Sequence, residues 1–112
     1  TGGELEVVTG ATQPGFNPLD LLLASLAACM SMSARIAARE IGLARSFESV
    51  AVAVSGEKAA DEPSRFIGFM VEFDFQGALD LEQQQAITHR AEEICTVSNS
   101  LAVRPTLVIG NA

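Results

Sequence analysis

The chain has no tryptophan and no tyrosine, and its only aromatic residues are six phenylalanines. It therefore lacks the aromatic platforms on which single-stranded nucleic acids stack, and its core must be largely aliphatic. Basic residues are also scarce: seven Lys and Arg stand against fourteen Asp and Glu, a net charge of −7. Phosphate backbones and anionic lipid surfaces are held by clustered cations, so neither nucleic acid nor membrane is an expected partner. With two cysteines in all, a disulfide scaffold is excluded. No secretory signal is visible. The apolar run from Leu21 to Ala34 falls short of the ~20 residues a bilayer span requires, and Asp20 and Arg35 bound it. It reads as a buried core helix, and a cytoplasmic location is expected. Gly2-Gly3 and Gly10 lack the spacing of a phosphate-binding loop, and no Ser-His-Asp arrangement stands out. The chain begins at Thr1 rather than Met.

What is present suits one domain spanning residues 1–112. Hydrophobic residues make up 48% of it, which excludes a disordered chain. Glu4 to Val8 alternates and predicts a short strand. Gly10 to Gly15 predicts a loop that ends in a Pro14-Gly15 turn. Asn17-Pro18 opens a helix, with Asn17 as cap, Pro18 at the first helical position and Asp20 placed to complete a capping box. That helix is predicted to run to Ile41, with Gly42 as its stop. It is apolar or small on nearly every side, so one subunit of this size cannot wrap it, and a second subunit is expected to cover the rest.

Phe47 to Val54 and Phe66 to Phe75 alternate at period two and predict an antiparallel hairpin joined by a polar connection from Gly56 to Ser64. Phe69, Val71, Phe73 and Phe75 share the apolar face. Asp80 to Cys95 predicts a second helix, with Leu81, Ile87, Ala91 and Ile94 on its apolar side. Thr96 to Arg104 reads as a connection, and Leu107-Val108-Ile109 as a short buried strand ended by Gly110.

The chemistry rests on two sulfurs. A reactive thiol needs a lowered pKa and access. Cys29 lies mid-helix, beyond the reach of the helix N-terminus. Its helical neighbours Ser25, Leu26, Met32 and Ser33 carry no positive charge, so any activation must come from elsewhere in the fold. Cys95 sits near a helix C-terminus beside Glu92 and Glu93. Both features oppose a thiolate, which makes it a poor attacking group but leaves it able to resolve. The residues alone leave two readings open, a redox couple or two buried hydrophobes. His89, the only histidine, is expected to form a surface ion pair with Glu93. A metal site of Cys29, Cys95 and His89 lacks any paired CxxC support, and neither metal nor cofactor is expected.

Two motifs carry a resemblance. Asn17-Pro18-Leu19-Asp20-Leu21-Leu22-Leu23-Ala24-Ser25-Leu26-Ala27-Ala28-Cys29-Met30-Ser31-Met32 resembles the signature helix of the OsmC/Ohr family, N/S-P-x-E-L-L-L-A-A-L-x-x-C-x-x-M. Cys95-Thr96-Val97-Ser98-Asn99-Ser100-Leu101 is similar to that family's C-P-V-S/H-x-x-L. The resemblance implies an α+β fold, with a long central helix and a second helix packed on an antiparallel sheet in an intertwined homodimer, here with the N-terminal sheet shortened or missing. It implies reduction of organic hydroperoxides or hydrogen peroxide in oxidative-stress defence. Cys29 would be the peroxidatic thiol, Cys95 the resolving one and Asp20 the nearest counterpart of the family's acid. A dithiol reductant, such as a lipoylated protein, would restore the thiols. The sequence departs from the pattern in three places. Leu19 stands where an acid usually follows the proline, no Arg or Lys precedes Arg35, and Thr96 replaces the proline after the second cysteine. The same fold without catalysis would be a dimer that binds a small apolar ligand.

Overall fold

The computed structural model describes residues 1–10 and 12–110. Ala11 of the predicted Gly10–Gly15 loop lies outside the described residues, as do Asn111 and Ala112 at the end of the predicted domain. The elements, in order, are α1 (Pro18–Glu40), β1 (Phe47–Lys58), β2 (Phe66–Gly77), α2 (Leu81–Ile94), α3 (Thr96–Asn99) and β3 (Thr106–Ile109).

Both long helices begin with reciprocal caps. Asp20 N–H donates to Asn17 Oδ1 at 2.8 Å and Asn17 N–H to Asp20 Oδ2 at 3.1 Å. In α2, Gln83 N–H donates to Asp80 Oδ1 at 2.8 Å, and Asp80 N–H to Gln83 Oε1 at 3.0 Å. Each pair satisfies amides that a helix start leaves without partners. Gly42, at φ +80°, turns the chain out of α1 in a conformation that few other residues adopt.

β1 and β2 pair antiparallel from Phe47↔Gly77 to Lys58↔Phe66, so the hairpin extends past the predicted Val54 and shortens the connection. The predicted all-antiparallel sheet is corrected at β3, which pairs parallel to β2 from Met70↔Thr106 to Phe73↔Ile109. The reason is topological: β2 and β3 are joined through α2 and α3, and a helical crossover returns the chain in the same direction. The sheet is mixed, with order β1-β2-β3. The predicted Glu4–Val8 strand does not form. Leu5 and Val7 are exposed, these residues pair with no strand among the described residues, and Val8 N–H donates to the Phe16 carbonyl at 3.0 Å.

Phe69, Val71, Phe73 and Phe75 do share the inner face of β2. They meet Leu26, Met30, Ala34, Ala37 and Ala38 of α1 and Ile87 and Ala91 of α2 in one core. The Phe73 and Phe75 rings lie stacked at 5.8 Å. Leu81, expected on the apolar side of α2, is exposed instead.

The apolar run from Leu21 to Ala34 is short for a bilayer span, but α1 as a whole, Pro18–Glu40, is long and apolar enough to cross a membrane by length and composition alone. Its packing against sheet and α2 identifies it as a core helix. Its other face is uncovered: Ala24 and Ala28 are exposed, Met32 is 67% exposed and Ile36 43%. The chain is correspondingly open. Its radius of gyration is 15.4 Å, against about 13 Å for a compact domain of this length. Its accessible surface is 7278 Å², against about 5,900 Å² for a compact monomer of this mass.

Candidate functional site

Cys29 is half-buried on α1, on the side turned towards α3. Cys95 is fully buried and has two structural duties: it is the C-cap of α2 and the N-cap of α3. Its N–H donates to the Ala91 carbonyl at 3.0 Å, and its Sγ accepts from Ser98 N–H at 3.4 Å. The connection expected from Thr96 to Arg104 thus opens with a helical turn. That turn brings the Thr96 and Val97 amides to the Cys29 sulfur, and the Cys95 thiol is also its hydrogen-bond partner. Both sulfurs are free thiols here.

The two differ electrostatically. Burial pushes Cys29 up. The Val97 amide, the Cys95 thiol, the Ser33 hydroxyl and the Thr96 amide outweigh it and hold the thiol below its ordinary value of 9.0. Each donates to the anion and so favours it. Burial pushes Cys95 up to about 11 against the opposing Ser98 amide, and its contact with Cys29 adds to the rise. Of the two thiols, Cys29 is therefore the first to ionise.

Of the three predicted site residues, the structure brings Cys29 and Cys95 together. Asp20 lies elsewhere: it is exposed in the capping box of α1, nine residues before Cys29, or roughly 13 Å along the axis at ~1.5 Å per residue. Ser33, a helical neighbour of Cys29 that the sequence marks only as uncharged, is 4% exposed and supplies a hydroxyl donor one turn below the sulfur. The Thr96 and Val97 amides had no sequence signal, because backbone donors look alike in every sequence.

His89 does not pair with Glu93. Arg90 takes that carboxylate at 3.4 Å and also holds Glu40 of α1 at 2.8 Å. Between these ion-paired residues Ala91 is fully buried. His89 instead lines an outer groove with Leu81, Gln85, Thr88, Leu107 and Ile109. Among the described residues, no group of three His, Cys, Asp or Glu side chains is placed to hold a metal ion.

The family model described as OsmC-like protein matches residues 10–109. The fold is similar to that of the organic hydroperoxide resistance protein OsmC from Legionella pneumophila, with 24% identity and TM-score 0.72, covering 89% of this chain and 72% of that one. The organic hydroperoxide resistance protein OhrB of Bacillus subtilis aligns at 24% identity and TM-score 0.74, over 89% of this chain and 74% of its own. An OsmC like protein from Mycoplasma pneumoniae aligns at 17% identity and TM-score 0.76, over 95% and 77%. No curated protein matches the sequence. At these identities the structural likeness speaks for the fold, and the family match, which takes in both motifs and both cysteines, speaks for descent: the chain belongs to the OsmC-like protein family.

Proposed function

We propose that this protein is a two-cysteine thiol peroxidase that reduces organic hydroperoxides or hydrogen peroxide. The observation that carries the reading is the Cys29 sulfur, partly accessible, lowered in pKa by the Val97 and Thr96 amides and Ser33, and paired with Cys95. The hydroperoxide resistance named for two of the solved relatives supports it.

The chemistry balances as follows. The Cys29 thiolate attacks one peroxide oxygen and the O–O bond breaks. The sulfur becomes a sulfenic acid, and the departing alkoxide takes a proton to leave as an alcohol. Cys95 then attacks the Cys29 sulfur, an S–S bond forms and the hydroxyl leaves as water. Part of the elevation of Cys95 comes from Cys29. A sulfenic acid is neutral, so that part disappears once the first step is complete and Cys95 ionises more readily when it is needed. A dithiol reductant, such as a lipoylated protein, supplies two electrons and two protons to restore both thiols. Asp20, at the start of α1, would act on the site only from a second chain. The reducing compartment that suits this cycle is the cytoplasm.

The working unit we propose is a homodimer. The exposed Ala24, Ala28, Met32 and Ile36 stripe and the chain's excess surface support a second copy across α1. A non-catalytic dimer that binds an apolar ligand would use the same helix. It requires an ordinary or raised Cys29 pKa, and the donors around Cys29 favour the peroxidase. Stopped-flow consumption of cumene hydroperoxide and hydrogen peroxide by the reduced protein tests the reading. Turnover faster than a free-cysteine control is expected, and loss no faster than that control rejects it.

A further inference from the structure

A second recess lies away from the thiols, between the first turns of α1 and the open end of the β1–β2 hairpin. It measures about 240 Å³ and is lined by Leu19, Leu22, Lys58, Ser64, Arg65 and Phe66. Leu19 and Leu22 share a helix face at i, i+3. The Phe66 ring forms an aromatic wall. It rests 5.2 Å from the Phe69 ring, and a Cβ on Gly56 would lie only 2.6 Å from it, so glycine there makes the space the ring occupies. Lys58 and Phe66 are cross-strand partners, and Ala59 N–H donates to the Arg65 carbonyl at 2.9 Å just beyond them. The wall and the cation therefore stand on the same rung of the ladder.

The charges at the rim are unusual for so acidic a chain. Two of its seven basic residues meet at this one apolar recess. Arg65 is oriented by Asp61 Oδ1 at 3.2 Å and by the Pro63 carbonyl at 2.8 Å, which partly neutralises it. Lys58 has no ion-pair partner among the described residues. Of the acids around the recess, Asp61 is engaged with Arg65 and Asp20 with the Asn17 amide, and neither Glu57 nor Glu62 is among its lining residues. An unpaired ammonium over an aliphatic and aromatic recess complements a ligand with one anionic end and one apolar body. The recess is smaller than the ~300–1,000 Å³ of sites for drug-sized molecules, so the body must be short.

We propose that this recess binds a short carboxylate amphiphile, monomeric in solution. Lys58 meets the carboxylate, and Leu19, Leu22 and Phe66 cover the chain. Neither cysteine lines the recess, so octanoate binding is read out independently of peroxide turnover.

Sodium octanoate, octan-1-ol and octylamine titrated into the full chain by calorimetry provide the test. Saturable octanoate binding is expected, weakened by salt. Octan-1-ol and the Lys58→Met variant should each bind about tenfold less tightly, the size of one lost charge-assisted contact. Lys58→Arg should keep octanoate binding, and Leu19→Ser, at an exposed position, should weaken acid and alcohol alike. Equal affinity for octanol, indifference to Lys58→Met or preference for octylamine overturns the proposal. So does failure of octanoate to bind saturably, whether or not phosphatidylglycerol vesicles bind at the same rim.

Discussion

Cys29 and Cys95 touch, yet the fold treats them in opposite ways. Cys29 is half-open on a helix that does not need its sulfur, and its charge is spread over amide and hydroxyl donors. Cys95 is sealed, and its sulfur is a structural acceptor that begins α3. Removing the first should cost chemistry and spare the fold. Removing the second should cost both. The difference shows how one pair of identical side chains acquires an attacking and a waiting partner without any cation beside them.

The largest effect should come from Cys29→Ser, which is expected to lower peroxide turnover by more than about 10³-fold while leaving the melting temperature nearly unchanged. Cys95→Ser should permit a single burst of peroxide loss and then stall, with sulfenic acid trappable by dimedone. Continued turnover in Cys95→Ser would break the contrast between the two roles.

Alkylation should separate the two next. Iodoacetamide should modify Cys29 with a midpoint below pH 9.0, and Cys95 only near pH 11 or on unfolding. Stability follows the same opposition. A folded pKa below the unfolded one gives Cys29 a contribution that is present above the unfolded pKa and lost as pH falls through the folded value. Cys95, raised, contributes below its unfolded pKa and loses that contribution as pH rises through about 11.

Smaller effects refine the picture. Cys95→Ala should destabilise by about 1–2 kcal/mol in denaturant titration, since it empties a buried volume and leaves Ser98 N–H uncapped. Ser33→Ala should raise the Cys29 midpoint and slow its alkylation at neutral pH by a few-fold, without changing Cys95. An unmoved midpoint would remove Ser33 from the site. Smallest of all, Glu40→Gln should slightly lower the melting temperature. Glu40 is held below its ordinary pKa by the Arg90 hydrogen bond, so its contribution is present above the unfolded pKa and fades as pH falls through the folded one. The pair is exposed, and screening keeps its effect small.

Features written in neighbouring residues were legible in advance. Asn17, Pro18, Asp20 and Gly42 mark both ends of α1 to within a residue of Ile41, because capping is a matter of three- and four-residue spacings. The inward row of β2 was equally plain, because burial on one face imposes period two. The direction of β3 was not, since a four-residue apolar strand carries no polarity and its partner is chosen by the crossover. Glu4–Val8 has a strand's alternation, but alternation does not supply a neighbour. At the site, the approach of Cys29 to Cys95 was legible only through the family pattern. Of the other three donors to Cys29, two are backbone groups from the far end of the sequence and give no sign of themselves, while Ser33 is visible as a helical neighbour but carries no charge to mark its role.

The order of the sheet carries one more consequence. β1 is an edge strand twelve residues long, and its outer side presents a row of backbone donors and acceptors to water. The irregularity between Phe47 and Ser49 disrupts one end, and Glu57 and Lys58 charge the other. Between them Val50 to Val54 is uncharged, β-prone and half-buried on one side only. Sticking between chains would begin at this stretch, so the solubility of the protein on storage or at high expression rests on five residues remote from its sulfur chemistry.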